Sequence, residues 1–98
     1  MNITPQKIKM DFAAIIPPKV RYDERLTFRQ RLMFGEIAAR LDDEGYCYAS
    51  NQHLATVYKT TTIRISATIS KLVDYGYLKM EYTPRTRTRK IWIVGGFE

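Results

Sequence analysis

The chain has 98 residues, 45% of them hydrophobic and 27% charged, which is one domain's worth of a folding sequence and too little for a core plus a separate substrate domain. Sixteen Lys and Arg against ten Asp and Glu leave a formal net charge of +6, which favours a polyanionic partner, nucleic acid ahead of an anionic membrane surface. One cysteine (Cys47) and one histidine (His53) exclude an internal disulfide and a four-ligand zinc site, and there is no membrane-spanning run and no glycine-rich phosphate loop.

In chain order, residues 1–9 are polar and read as an arm. Residues 10–20 form an apolar run stopped by Pro17 and Pro18, which predicts an extended or short-strand segment. Tyr22–Arg25 is a connector. Thr27 then caps a first helix, with Gln30 in the capping-box position. Met33, Phe34, Ile37, Ala38 and Leu41 make its buried stripe. Asp42, Asp43 and Glu44 end it before Gly45 and read as a solvated turn in preference to a metal site. Tyr46–Ala49 is a short-strand candidate. Ser50 caps a second helix over 51–58, with Leu54, Ala55 and Tyr58 on one side. Lys59 and Thr60 make a tight connection, and Thr61 caps a third helix over 62–75 with Ile65, Ile69, Leu72 and Val73 inward.

The chain closes on a hairpin. Tyr77–Tyr82 alternates with the period of a strand, Lys90–Val94 returns, and residues 83–89 connect them. Residues 95–98 read as a tail, which leaves 10–94 as the domain. The fold class that follows is mainly α with a small β-sheet (α+β). The order is that of a winged helix-turn-helix, a three-helix core plus a β-hairpin wing, with Tyr46–Ala49 completing a three-stranded sheet.

In such a plan the second helix of the pair enters the major groove. Its outward set is Thr62, Ile63, Arg64, Ser66, Ala67, Ser70 and Lys71. Arg64 can read a guanine bidentately, Thr62 and Ser66 can bond a phosphate or a base edge, and Ile63 and Ala67 can meet a thymine methyl. Residues 83–90 hold Arg85, Arg87, Arg89 and Lys90 with no acid among them. Extended and alternating with Thr, these arginines would share one side of the chain and grip phosphates or a narrow minor groove. Arg29, Arg31 and Lys59 are candidates for backbone contacts. The tyrosines at 46, 48, 75, 77 and 82 read as core packing in preference to base stacking. No catalytic group, metal or cofactor is expected, and the lone cysteine fits a reducing cytoplasm.

Several stretches resemble a known family. They are Phe12-x-x-Ile15-x-Pro17, Val20-x-Tyr22-Asp23-x-Arg25-Leu26-Thr27, Leu32–Ile37, Glu44–Asn51, the Thr61-to-Leu72 helix and Tyr75–Leu78. They are similar to the N-terminal helix-turn-helix domain of phage and plasmid replication proteins, among them DnaD-like replisome organisers and initiators. The resemblance spans residues 10–94. It implies a winged helix that binds double-stranded origin DNA, often as a homodimer, in proteins that recruit host replication proteins through a further C-terminal region. The alternatives from the residues are a transcriptional regulator of a mobile element and a protein-binding winged helix, an adaptor or inhibitor, for which the outward Ile63 is the cue.

Overall fold

The computed structural model describes residues 14–98, so the arm at 1–9 and the start of the 10–20 run lie outside the described residues. Within the rest of that run, residues 14–17 are not helical and Pro17 is extended, but no strand forms and the end of the run turns. Pro18–Arg21 forms a single helical turn, α1. A proline at the first helical position has no N–H to lose and a backbone angle already suited to a helix, so the Pro17-Pro18 pair starts a turn where an extended segment was expected. Val20 on that turn is fully buried. Just upstream the chain crosses the next helix at Gly35, where the Ile15 N–H donates to the Gly35 carbonyl at 3.1 Å. A Cβ at Gly35 would stand 2.7 Å from Ile16 Cγ1, so only glycine permits this crossing.

The three long helices form as their caps predict. α2 is Phe28–Ala39, and its capping box is complete: Gln30 N–H donates to Thr27 Oγ1 at 3.2 Å and Thr27 N–H donates to Gln30 Oε1 at 2.9 Å. The turn behind it uses Asp42 structurally, its Oδ1 accepting from the Glu44 and Tyr46 amides at 2.9 and 3.0 Å. α3 is Asn51–Tyr58 with Ser50 as cap, and α4 is Thr62–Asp74 with Thr61 as cap. The inward side of α4 is Ile65, Ile69 and Leu72 as expected. Thr68 is buried beside them, its hydroxyl returned to the Arg64 carbonyl at 2.8 Å. The core joins these to Met33, Phe34 and Ile37 of α2, Leu54 of α3, and Tyr77, Leu78 and Ile91. Below it, the buried Glu36 carboxylate accepts from Arg40 Nε at 2.5 Å and from the Tyr58 hydroxyl at 2.6 Å, tying α2 to α3. Burial and that carboxylate hold the Tyr58 phenol above its ordinary pKa.

The hairpin is β1, Leu78–Thr83, against β2, Thr88–Ile93, antiparallel with Leu78 opposite Ile93 and Thr83 opposite Thr88. The strands run further toward the tip than the sequence predicts, leaving a four-residue turn at 84–87. The expected third strand does not form. Tyr46–Ala49 makes one bridge, Cys47 to Ile91, with N–H to carbonyl distances of 2.8 and 2.9 Å. Its flanking carbonyls are already taken, Tyr46 O by the Asp42 amide and Ala49 O by the Arg89 guanidinium. Tyr77 is buried, and Tyr46 and Tyr75 are half-buried, but Tyr48 and Tyr82 stand mostly in solvent, outside the core assigned to them.

The expected tail at 95–98 is packed in its first half, while Phe97 and Glu98 are exposed. Gly95 and Gly96 are buried, and a Cβ at Gly96, already at φ +110°, would meet Val20 Cγ2 at 2.9 Å and Phe34 Cζ at 3.0 Å. Phe97 lies against Phe34, and the Glu98 carboxylate reaches Lys19 at 3.3 Å.

Candidate nucleic-acid interface

α4 places its whole outward set in solvent. Thr62, Ile63, Arg64, Ser66, Ala67, Ser70 and Lys71 are all exposed, Ile63 at 80%. A 3.6-residue period with Ile65, Ile69 and Leu72 buried leaves these positions no other side to occupy. Arg64 has no carboxylate partner among the described residues, and Lys71 sits 5.7 Å from the Tyr75 ring centre. From Gly45 to Val73 the sequence contains no acid, and the one acid on α3 and α4 is Asp74, exposed at the last position of α4, three residues after Lys71.

Two concavities border this helix. One is a groove between the start of α2 and α4, where Thr27, Arg29 and Gln30 face Ile63, Arg64 and Ala67. The other is a cleft of about 270 Å³ at the α3–α4 turn, walled by Arg29, Tyr58, Lys59 and Arg64 over Leu32 and Ile65. Arg29 and Lys59 therefore join Arg64 on one surface. Arg31 does not. Its Nη2 donates to the Asp23 carbonyl at 2.9 Å and its guanidinium lies 5.6 Å from the Phe28 ring centre, because its position on α2 points to the connector.

The wing divides its four cations. Arg85 and Arg87 are exposed on the 84–87 turn, where the Arg87 amide donates to Pro84 O at 3.2 Å. The alternating extended array is not realised, because this segment closes a hairpin. Arg89 lies in β2, half-buried, with Nη1 donating to Asn51 Oδ1 at 2.6 Å and Nη2 to Ala49 O at 2.5 Å. Burial holds its guanidinium below the usual arginine range. Lys90 occupies the other face of the strand, 3.6 Å from Glu81 and 4.3 Å from the Tyr46 ring centre. Both are spoken for by the protein, which removes them from the exposed wing set. Lys79, exposed on β1, adds a cation outside the expected set; strand alternation was the signal available for it.

Lys59 and Arg87 share a further property. They are the only non-glycine residues with positive φ among the described residues, at 54° and 56°. Left-handed backbone costs a side-chain-bearing residue of order 1 kcal/mol, and glycine or asparagine would remove most of that cost. Both strained positions keep a cation.

A family profile described as "Helix-turn-helix domain" matches residues 24–78, more than half of the chain. The chain belongs to the helix-turn-helix domain family. The matched span runs from the connector through α2, α3 and α4 to the first residue of β1, so the hairpin is an addition to the helix-turn-helix unit. The whole is similar to a solved structure described as "N-Terminal domain of DNA binding protein", with a TM-score of 0.71 and 17% identity, covering 100% of this chain and 86% of that one. That likeness includes the hairpin and makes the fold a winged helix-turn-helix. No curated protein matches the chain. Among the described residues, no group of three or more His, Cys, Asp or Glu could hold a metal ion, and no helix is long and apolar enough to cross a membrane. Cys47 is buried in the core of the helix-turn-helix domain, while His53 stands exposed on α3.

Proposed function

We propose that this domain binds double-stranded DNA without enzymatic activity. α4 lies in the major groove, where Arg64 reads base edges, and Arg85 and Arg87 on the wing hold the backbone or enter the minor groove. Arg29 and Lys59 contact phosphates beside α4. One observation carries the reading: an exposed α4 face with no acid before Asp74, flanked by cations that have no carboxylate partner among the described residues, two of them (Lys59 and Arg87) on strained backbone that glycine would relieve. The likeness to the N-terminal domain of a DNA binding protein points the same way.

The finer assignment follows the sequence resemblance. The domain serves a phage or plasmid replication initiation protein in the cytoplasm, acting at origin DNA as a homodimer and alongside host replication proteins. The outer side of α2 suits a second copy, since Phe28 is 83% and Leu32 43% exposed one turn apart. A transcriptional regulator of a mobile element would use the same surfaces. A protein-binding winged helix is the second reading, favoured by Ile63 at 80% exposure.

The test is selection of bound duplexes from a random pool at two salt concentrations. With Arg29, Lys59, Lys71, Arg85 and Arg87 on phosphates, log affinity should fall against log salt with a slope of about −4 to −5. A chain that binds no duplex at moderate salt, yet associates with a protein, would shift the assignment to the second reading.

A further inference from the structure

Beyond Leu78, every residue of β1 and of the wing turn is exposed, so apolar packing does not hold the distal half of the hairpin. Two-stranded ribbons are marginal on their own. Two side chains of that half reach the rest of the domain: Lys90 lies over the Tyr46 ring, and Arg89, the second residue of β2, is the one that hydrogen-bonds to a helix among the described residues. It donates to Asn51 Oδ1 and to Ala49 O, reaching the first residue of α3 and the segment that leads into it, 38 and 40 residues away in sequence. Its cross-strand neighbour Tyr82 is 59% exposed and offers little cover. Among the described residues the guanidinium meets neutral acceptors and no carboxylate, and its Nε is buried without a hydrogen-bond partner. As a stabilising element this is a poor use of a buried cation. As a two-pronged connector it suits arginine, whose planar fork serves two acceptors at once where an ammonium is a point charge.

We infer that Arg89 is a positioning residue that sets the angle of the wing against the α3–α4 pair through Asn51 and Ala49. It lets Arg85 and Arg87 meet the same duplex as Arg64. The inference rests on the DNA-binding reading for its purpose and on the two hydrogen bonds for its geometry. Its acceptors are neutral, so Asn51→Ala breaks one prong without changing the charge of the protein.

The test is a double-mutant cycle with an independent geometric readout. In the parent chain, Arg85→Ala with Arg87→Ala should lower duplex affinity about tenfold or more. In an Arg89→Gln background that loss should shrink to under about threefold, because a misplaced wing no longer reaches the backbone. Asn51→Ala should shrink it in the same direction. Arg89→Lys should not restore it. Spin labels at Thr86→Cys and Gln52→Cys, in a chain carrying Cys47→Ala, report the wing-to-α3 distance. A narrow distribution should broaden on Arg89→Gln and on Asn51→Ala, each measured below its own melting temperature. Full additivity of the cycle, with the salt slope reduced by about one for Arg89→Gln alone, would make Arg89 a direct phosphate contact and overturn the inference. Lower melting temperatures with an unchanged distance distribution would overturn it as well. If the parent chain ignored duplexes altogether, the DNA-binding reading would fall, and the distance distributions alone would decide the positioning role.

Discussion

On α4, Arg64 and Lys71 project from a helix whose other side is closed by Ile65, Thr68, Ile69 and Leu72. On the wing, Arg85 and Arg87 project from a stretch, 79–88, in which every residue is exposed. The first pair has its directions set by the core, the second by a turn and by the two bonds of Arg89. A side chain that reads a base edge must be placed to within a fraction of an ångström, whereas a phosphate contact tolerates a looser support. The helix is therefore suited to sequence recognition and the wing to charge.

The largest expected contrast is in stability. Ile69→Ala empties a site that is 1% exposed and should cost about 2–5 kcal/mol, whereas Tyr82→Ala on the exposed wing should stay within about 0.5 kcal/mol. Urea unfolding followed by circular dichroism measures both, and comparable losses would mean that the wing is part of the core. A second contrast lies in what each arm reads. Arg64→Ala should remove about 1–3 kcal/mol of discrimination at one base position and change the sequences recovered from a random pool. Arg85→Ala with Arg87→Ala should weaken all duplexes alike and flatten the salt slope by about 1.8. Exchanged phenotypes would reverse the division of labour.

Smaller effects sharpen the role of the two strained cations. Lys59→Gly and Arg87→Gly relieve roughly 1–2 kcal/mol of left-handed strain and give back about 0.4–1 kcal/mol of chain entropy, for a net gain of roughly 0.5–1 kcal/mol each. Duplex affinity should fall in the same variants, so stability and binding move in opposite directions. A pair of variants that bound DNA as tightly as the parent would strip these positions of a functional reading.

The smallest effect sits where the connector meets the α4–β1 junction. Arg25 pairs with Asp23 at 2.7 Å and the Tyr77 hydroxyl donates to its carboxylate at 2.5 Å. Those hydrogen bonds, that from Arg25 first, hold the carboxyl well below its ordinary value of 3.8. A depressed folded-state pKa adds stability that is present above the unfolded value and is lost as pH falls below about 4. Thermal melts from pH 6 to pH 3 should show a steeper decline for the parent chain than for Asp23→Asn. Parallel curves would assign the acid sensitivity to other carboxyls.

The helices and the outward face of α4 were legible because their signals are local. Thr27, Ser50 and Thr61 each act on an amide three residues away, and the buried stripe of α4 repeats within a few residues. Two local signals misled. The Pro17-Pro18 pair stopped an extended run on paper and started α1 in fact, because a proline restricts the residue before it and also suits a first helical turn. The 83–89 segment looked like one long loop because alternating Thr and Arg mark neither a turn nor a strand end.

Sequence by itself determined the three capped helices, the hairpin and which residues of α4 face solvent, since each depends on bonds or burial repeating over about four residues. Tertiary structure alone decided the fates of the other charges. Arg89 found Asn51 across 38 residues, Asp23 found Tyr77 across 54, and Tyr58 reached Glu36 across 22. A cation in a sequence is a donor without an address. Whether it meets solvent or a neutral acceptor under the wing depends on which distant backbone the packed core brings to it.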